Sequence, residues 1–246
     1  MNVISSKANP LIKQSKKLHQ KKYRKTSYLI EGWHLFEEAV ASQAQILHIF
    51  ALVDYKEELK HFLQVTFVSP EILSDLAASK TPQGIVAEVA LPKVSLPEEL
   101  SGKLLFLEDV QDPGNVGTMI RTADAAGFDA VFLSRNSADL YNLKTLRSMQ
   151  GSHFHLPIYQ LETKDFLLLA KEKKVPILAT TLSSNSVTYK KIKEKENFIL
   201  VMGNEGQGIS SQVEEAADQF IHIEMKGQAE SLNVAVAAGI LMFYLV

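Results

Sequence analysis

The chain has 246 residues, of which 46% are hydrophobic and 22% are charged, a balance that is typical of globular proteins and argues against disordered, collagen-like or coiled-coil chains. The absence of cysteine excludes a disulfide scaffold, a thiolate metal site and a cysteine nucleophile. The formal net charge of -2 hides an uneven distribution, because residues 1–30 contain eight lysines and arginines and no carboxylate, which leaves the other 216 residues at -10. A basic segment on an acidic body predicts contact with nucleic acid or another anionic surface.

No apolar segment follows the positive charges at the start of the chain, which is not the pattern of a signal peptide. The most apolar run covers residues 234–246 and has 13 residues, whereas a transmembrane helix needs about 20. We therefore expect a buried helix or a subunit contact at this run, and a cytoplasmic protein without a membrane partner.

The first part of the chain alternates short helices and strands. Helices are predicted at residues 10–25, 33–41, 55–62 and 70–78, and strands at 28–30, 46–53, 65–68 and 85–89. This pattern predicts a small α/β/α domain at residues 1–92. A segment with two prolines and no clear periodicity, residues 90–102, follows as a linker.

The second part, residues 103–246, also alternates apolar strands with helices. Strands are predicted at residues 104–107, 130–133, 156–159, 177–180, 198–202 and 220–223, and helices at 116–126, 143–149, 164–173, 213–217 and 232–245. Apolar strands separated by helices predict a mostly parallel sheet that is covered on both faces. Ten of the twelve glycines lie after residue 100, and ligands bind at the carboxyl ends of parallel strands, so we expect a small-molecule site here.

The first strand end of interest precedes the turn Asp112-Pro-Gly-Asn115. Asn115 is a candidate N-cap of the next helix. Gly117, Arg121 and Asp124 share one face of that helix, with room for a ligand group beside the guanidinium. The alternative is that Arg121 only pairs with Asp124 at the surface.

The second and third strand ends carry a glycine-rich loop and a small-residue helix. Residues 203–208 read GNEGQG, which differs from the dinucleotide-binding and P-loop spacings; the alternative is a merely flexible loop. Ser231 is a candidate N-cap. Asn233 is a polar residue that opens an otherwise apolar helix, and the alternative is that it only begins this helix.

Two further kinds of site are not supported by the sequence. His153 and His155 alternate along a predicted strand start, but no acidic or cysteine cluster completes a set of metal ligands, so no metal is expected. The nucleophile elbow of hydrolases, G-x-S-x-G, does not occur.

Three motifs together resemble the SpoU/TrmH family of RNA ribose 2'-O-methyltransferases, within the SPOUT superfamily. They are residues 112–127 (DPGNVGTMIRTADAAG), 201–210 (VMGNEGQGIS) and 230–238 (ESLNVAVAA). The resemblance covers residues 103–246, with Ile209 in place of the family's usual leucine as one small departure. Residues 4–13 (ISSKANPLIK) and 36–39 (FEEA) are similar to the L30e-like RNA-binding domain that many members carry.

The resemblance implies a trefoil knot in the C-terminal domain, a homodimer formed through that domain, and S-adenosylmethionine as the cofactor. The positions that match the catalytic residues of the family are Asn115, Arg121, Glu205, Ser231 and Asn233. The positions implied around the cofactor are Thr180, Gly203, Ile223, Met225 and Leu232. A guanidinium has a pKa above about 12 and normally only donates hydrogen bonds, so we expect Arg121 to stabilise the developing alkoxide rather than to act as a base.

The basic segment then becomes a candidate RNA contact, because lysines that bind phosphate give affinity without reading sequence. The residues expected to bind RNA are Lys13, Lys16, Lys17, Lys21, Lys22 and Arg24. Structured RNA is the expected partner, with 23S rRNA favoured over tRNA because a separate RNA-binding module suits a ribosomal target. A tRNA methyltransferase and a non-catalytic RNA-binding protein that keeps the fold are the alternatives. Deletion of residues 1–25 is expected to weaken RNA binding and its dependence on salt.

Overall fold

The computed structural model describes residues 3–77, 79, 81–183, 185–193 and 196–246. The chain forms two compact units. The N-terminal unit comprises Met1–Lys93 and Tyr141–Phe154, and the C-terminal unit comprises Val94–Leu140 and His155–Val246. The chain thus returns to the N-terminal unit for 14 residues, a return that the periodicity of the sequence did not predict.

The N-terminal unit is built on a four-stranded mixed sheet. Its strands are β1 (Ser27–Glu31), β2 (Ile46–Ala51), β3 (Val65–Phe67) and β4 (Ile85–Ala90). The spatial order is β1-β4-β2-β3, with β4 antiparallel to β1 and β2, and β3 parallel to β2.

The helices of the chain are α1 (Pro10–Lys17), α2 (Trp33–Ala41), α3 (Pro70–Ala77), α4 (Pro113–Ala125), α5 (Leu143–Met149), α6 (Thr163–Lys173), α7 (Ser211–Ala216) and α8 (Val234–Leu245).

The basic helix α1 is part of the core of this unit. Asn9 caps it by accepting a hydrogen bond from the Leu11 N–H at 2.9 Å, and Pro10 occupies the first helical position, where its fixed φ suits a helix start. Ile12 is buried in one cluster with residues of α3, β1 and β2. The same helix therefore buries an apolar face and exposes its lysines.

Of the helices predicted in the N-terminal half, one is too long and one is wrong. The helix predicted at 10–25 ends at Lys17, and a 3-10 turn follows at Lys21–Tyr23. None of residues 19–23 is buried, which leaves a longer helix without an apolar face. The predicted helix 55–62 is replaced by a 3-10 turn, Val53–Tyr55, and further turns. Only Leu59 is buried among residues 55–62, which leaves a helix here without an apolar face.

The segment Tyr141–Phe154 contains α5, and α5 packs against β1. The buried Tyr28 of β1 contacts both ends of this segment. Its hydroxyl lies 3.0 Å from Nε2 of His153, and its ring centroid lies 4.5 Å from that of Tyr141. Burial raises the pKa of Tyr28 well above its usual value, with a smaller contribution from Tyr141. His153 lies in a 3-10 turn, Ser152–Phe154, so the strand start predicted at the two histidines is wrong and the strand begins at Ile158.

The C-terminal unit contains a seven-stranded sheet in which every pairing is parallel. Its strands are β5 (Lys103–Leu107), β6 (Ala130–Ser134), β7 (Ile158–Leu161), β8 (Ile177–Thr180), β9 (Val187–Thr188), β10 (Phe198–Met202) and β11 (Gln219–His222). The spatial order is β7-β6-β5-β10-β8-β11-β9. All five residues of the central strand β10 are buried, and Phe106, Phe132 and Phe166 pack together in the core. The predicted α/β class with a parallel sheet is confirmed.

Among the described residues, every helix is too short or too polar to cross a lipid bilayer.

Candidate active site at the carboxyl edge of the C-terminal sheet

Three loops that follow β5, β10 and β11 come together at one edge of the sheet, and hydrogen bonds between side chains join them. The Asn233 Nδ2 donates to Asn115 Oδ1 at 3.1 Å, and the Asn115 Nδ2 donates to Glu205 Oε1 at 3.0 Å. Three of the five predicted catalytic residues thus form one continuous chain of hydrogen bonds. We call Asn115, Glu205 and Asn233 the amide–carboxylate chain.

The carboxylate of Glu205 also binds the backbone that leads into α4. The Gln111 N–H donates to Oε2 at 3.0 Å and the Asp112 N–H donates to Oε1 at 3.1 Å. Burial raises the pKa of Glu205, but the hydrogen bonds from Asn115 and from these two N–H groups outweigh it, so that its pKa lies below its usual value. Glu205 is therefore an ionised anchor at neutral pH.

The helix caps differ from those predicted, and the difference explains how the amide–carboxylate chain forms. Asp112 is the N-cap of α4, with its Oδ1 accepting from the Asn115 N–H at 3.0 Å. Because Asn115 is not the cap, its side-chain amide can bridge Asn233 and Glu205. Asn233, rather than Ser231, caps α8 by accepting from the Ala235 and Val236 N–H groups. Its Oδ1 caps the helix while its Nδ2 donates to Asn115, so the interpretation that Asn233 only begins a helix is incomplete.

The glycine-rich loop is closed on itself by backbone hydrogen bonds. The N–H groups of Asn204 and Gly208 donate to each other's carbonyl oxygens at 2.8 and 2.9 Å, and the Asn204 Oδ1 accepts from the Gly206 and Gln207 N–H groups. A Cβ at Gly203 would overlap the Gly208 carbonyl and lie 2.6 Å from the Ile209 nitrogen. These contacts argue against a merely flexible loop and explain the need for glycine at residue 203.

A cavity of about 410 Å³ opens between this loop, the end of β8 and the start of α8, within the range of about 300–1,000 Å³ that is usual for small-molecule sites. Apolar side chains and loop backbone line it. No lysine or arginine of the described residues does so, and the acidic residue Glu205 is among its lining residues. The cavity therefore fits a ligand that is part apolar and part cationic, as S-adenosylmethionine is. All five predicted cofactor residues, Thr180, Gly203, Ile223, Met225 and Leu232, line it together with Glu205 and Ser231.

Arg121 lies exposed on α4, and it is the predicted catalytic residue that the structure connects least to the others. The Asp124 Oδ2 lies 3.2 Å from the His155 Nδ1, and within the part of the chain that the structure describes Asp124 forms no ion pair with Arg121. Among the described residues Arg121 has no hydrogen-bond partner and does not line the cavity. Its connection to the site is the helix α4, which also carries Asn115 and packs against α8.

The predicted RNA-binding residues divide by exposure. Arg24 is only 9% exposed, which removes it from the available phosphate contacts. Lys16 is exposed but lies 3.1 Å from Asp75, which also binds Lys7, and these two lysines lower the pKa of Asp75. The remaining predicted lysines are exposed: Lys13, Lys17, Lys21 and Lys22.

Sequence reasoning did not single out two features that the structure shows. Tyr23 is 43% exposed, and the ammonium groups of Lys17 and Lys22 lie 5.7 and 4.9 Å from its ring centroid, an arrangement suited to stacking an RNA base. A tyrosine inside the run KKYRK was the available signal. The backbone contacts of Gln111 and Asp112 to Glu205 had no sequence signal, since backbone donors carry no residue identity.

Comparisons with known proteins identify the family of the chain. Residues 102–243 match the SpoU rRNA methylase family, and residues 9–87 match the MRM3-like substrate binding domain. The chain is 43% identical, over 249 residues that cover 100% of it and 99% of the relative, to the 23S rRNA (guanosine(2553)-2'-O)-methyltransferase RlmP of Bacillus subtilis.

Two solved structures show how far the likeness extends. An S-adenosylmethionine-bound rRNA methyltransferase from Sinorhizobium meliloti superposes with a TM-score of 0.88 at 30% identity, covering 98% of this chain and 96% of that one. The TrmH/SpoU tRNA-modifying enzyme of A. aeolicus superposes with a TM-score of 0.53 at 33% identity, covering 59% of this chain and 74% of that one. The chain belongs to the SpoU rRNA methylase family and is an S-adenosylmethionine-dependent RNA 2'-O-methyltransferase.

Proposed function

We propose that this enzyme methylates the ribose 2'-hydroxyl of a guanosine in 23S rRNA. The observation that carries the reaction is the amide–carboxylate chain beside a cavity that fits the cofactor. The choice of RNA is supported by the full-length likeness to the Bacillus subtilis enzyme, whose name specifies a 23S rRNA guanosine. The tRNA-modifying relative covers only 59% of the chain, which favours rRNA over tRNA. An rRNA substrate implies a cytoplasmic site of action.

The cofactor is held chiefly by loop backbone and apolar side chains. Gly203 lets the glycine-rich loop fold tightly, Thr180 is fixed by donating its hydroxyl to the Val201 carbonyl at 2.9 Å, and Ile223, Met225 and Leu232 supply apolar wall. S-adenosylmethionine supplies the electrophilic methyl group. The protein's task is then to position the ribose hydroxyl, since orientation alone supplies much of the rate enhancement in two-reactant chemistry.

Arg121 stabilises negative charge on the attacking oxygen and the neighbouring phosphate. A guanidinium stays protonated at neutral pH and only donates hydrogen bonds, and fixed donors aimed at developing charge are a major source of catalysis. Glu205 is not the base, because its pKa lies below its usual value and a general base works best with a pKa near the operating pH. Asn115, Asn233 and Ser231 orient the ribose, with Glu205 holding Asn115 in place.

The enzyme works as a homodimer through its C-terminal unit, with a trefoil knot formed by the loops that hold the cofactor. Exposed apolar side chains on α8 support the dimer. Val236, Ile240 and Phe243 are spaced at i, i+4 and i+7, so they share one helix face, and 52%, 37% and 60% of their surfaces are exposed. A contiguous apolar stripe of this kind marks a protein interface more often than free surface.

The N-terminal unit captures the RNA. Its exposed lysines contact phosphates and Tyr23 stacks on a base. Contacts to the RNA phosphates then supply affinity, and contacts to unpaired nucleotides select the RNA.

The test is to map 2'-O-methylated nucleotides in total RNA from cells that lack the gene and from cells complemented with variants. A single 23S rRNA guanosine should lose its methyl group and regain it with the wild-type protein and with the control variant Arg135→Ala, whose residue pairs with Glu162 outside the site. Arg121→Ala should not restore it, although the purified variant should keep its affinity for S-adenosylmethionine in calorimetry. Loss of a methyl group from tRNA, or from no RNA, would refute the proposed substrate.

A further inference from the structure

A second cavity, of about 370 Å³, lies entirely within the N-terminal unit and is separate from the cofactor cavity. Its floor is buried and its rim is polar. Glu31 at the end of β1 and Leu35 of α2 are buried, while side chains that donate or accept hydrogen bonds are exposed around them. The exposed residues used below are His34, Gln83, Arg147 and Gln150.

Arg147 is held in this cavity by the buried carboxylate of Glu31. The Arg147 Nη1 donates to Glu31 Oε2 at 3.3 Å, with side chains that are 43% and 6% exposed, and the Ser79 hydroxyl donates to the other carboxylate oxygen. Among the described residues the remaining guanidinium nitrogens of Arg147 have no partner. Donors are therefore fixed in orientation and left open toward the cavity.

The helix that carries Arg147 is itself anchored to this unit. His34 Nε2 lies 3.1 Å from the Gln150 carbonyl oxygen. Gln150 and Gly151 adopt positive φ of 49° and 95°, and a Cβ at Gly151 would lie 2.8 Å from Cγ of Glu38 in α2. The chain thus turns sharply at the end of α5 and closes the rim of the cavity.

The chemistry of the cavity fits a neutral base better than an anion. Glu31 compensates the charge of Arg147, which leaves little net attraction for a free phosphate, whereas two parallel N–H donors match adjacent acceptors on a planar edge. Guanine presents such a pair in O6 and N7, and arginine is the side chain that most often reads it. The amides of Gln83 and Gln150 add hydrogen-bonding groups at the rim, and the His34 ring adds a surface on which a base can stack.

We propose that this cavity binds the guanine base of one unpaired RNA nucleotide, with Arg147 donating to its O6 and N7. The inference deepens the proposed function, since it rests on RNA as the substrate and assigns one element of RNA selection to the N-terminal unit. It concerns a base that is bound, not the ribose that is methylated.

The test uses the full-length protein and three fluorescein-labelled pentaribonucleotides at one fixed salt concentration: AAGAA, AAAAA, and AAGAA with 7-deazaguanosine at its centre. Fluorescence anisotropy should show that AAGAA binds about tenfold more tightly than AAAAA, the discrimination usual for one bidentate arginine–guanine contact. The 7-deaza substitution removes N7, one of the two acceptors, and should lower this preference. Arg147→Lys keeps the charge but removes the fork of donors, so its affinities for AAGAA and AAAAA should become nearly equal. The matched control Arg135→Lys changes an exposed arginine of the C-terminal unit and should keep the preference.

The 7-deaza measurement needs only the wild-type protein, so it decides the question even where Arg147→Lys lowers the melting temperature. AAGAA binding no more tightly than AAAAA, including no binding of either, overturns the proposal. A preference that 7-deazaguanosine or Arg147→Lys leaves unchanged also overturns it. Oligonucleotide binding is independent of methyl transfer. If 23S rRNA keeps all its methyl groups in cells that lack the gene, the proposed function is refuted while this result stays intact, and the reverse also holds.

Discussion

Two substitutions at Glu205 separate its hydrogen bonds from its charge. Glu205→Ala removes the acceptor of three hydrogen bonds, which come from the Gln111 and Asp112 N–H groups and the Asn115 amide. Glu205→Gln keeps one oxygen. Because Oε1 accepts two of the three bonds, a glutamine whose oxygen takes that place loses only the bond from Gln111.

The expected losses follow from these numbers of bonds. Hydrogen bonds to charged groups contribute about 1.5–3 kcal/mol each when buried, but Glu205 is exposed, and water solvates donors that are left without it. We therefore take about 1 kcal/mol for each bond. Glu205→Gln should then lower kcat/KM about fivefold and Glu205→Ala about 150-fold, at about 1.4 kcal/mol for each factor of ten.

The assay is transfer of tritiated methyl groups from S-adenosylmethionine to 23S rRNA, with Glu215→Ala as the control, since Glu215 is exposed on α7. Glu205 has a lowered pKa, so its stabilising effect is fully present above the unfolded pKa of about 4.3 and is lost only as the pH falls through the lower folded value. The ratio of wild-type to Glu205→Gln activity should hence be constant from about pH 6 to pH 9. A glutamine variant as inactive as the alanine variant, or a ratio that changes with pH, would contradict a role of Glu205 that is limited to these hydrogen bonds.

Three further predictions follow from the described contacts. Gly203→Ala should abolish S-adenosylmethionine binding in calorimetry, because its Cβ would overlap the backbone of the loop, whereas Gly206→Ala, whose Cβ would make an ordinary 3.7 Å contact with Asn204, should retain it; equal affinities would contradict the role of residue 203. Phe243→Asp should give monomers in light scattering, and Leu168→Asp, an equally exposed change on α6, should not; a dimer in both would place the interface elsewhere. Joint alanine substitution of four exposed lysines should lower the slope of log affinity for RNA against log salt by about 3, and an unchanged slope would remove this segment from the interface. Those lysines are Lys13, Lys17, Lys21 and Lys22.

The elements of the C-terminal unit could be predicted closely because their cores are continuous apolar runs. Strands β8 and β10 have the predicted bounds. The helix α5, which belongs to the N-terminal unit, also has the predicted bounds. The two-residue strand β9 was missed because Val187 and Thr188 form no run that differs from loop sequence. The membership of α5 in the N-terminal unit could not be predicted either, since periodicity reports which face of a helix is buried but not against which partner.

The candidate site was predicted from motifs rather than from periodicity, and the structure changes how its residues act. The motif positions Asn115, Glu205 and Asn233 meet through hydrogen bonds that no local pattern specifies. Cap assignment failed twice for one reason. Asp112 and Asn115, like Ser231 and Asn233, are both competent cap residues, and only the backbone geometry decides between two candidates that lie two or three positions apart.

The structure also corrects the proposed deletion of residues 1–25 as a test of RNA binding. That deletion would remove α1, whose Ile12 is 1% exposed in the core, so it would destabilise the N-terminal unit and report on folding as well as on charge. Substitution of side chains is the sound alternative.

The charge available for RNA is smaller than the sequence suggests. Eight cationic residues lie in residues 1–30, but Arg24 is buried, and Lys7 and Lys16 share the carboxylate of Asp75. Five exposed lysines remain, and each phosphate contact contributes about 0.7–0.9 to the salt slope. This segment can therefore supply a slope of about 4.5 at most. A steeper measured slope requires phosphate contacts from elsewhere in the chain, and the exposed Arg121, which we propose to act beside the ribose, is the first residue to test for such a contact.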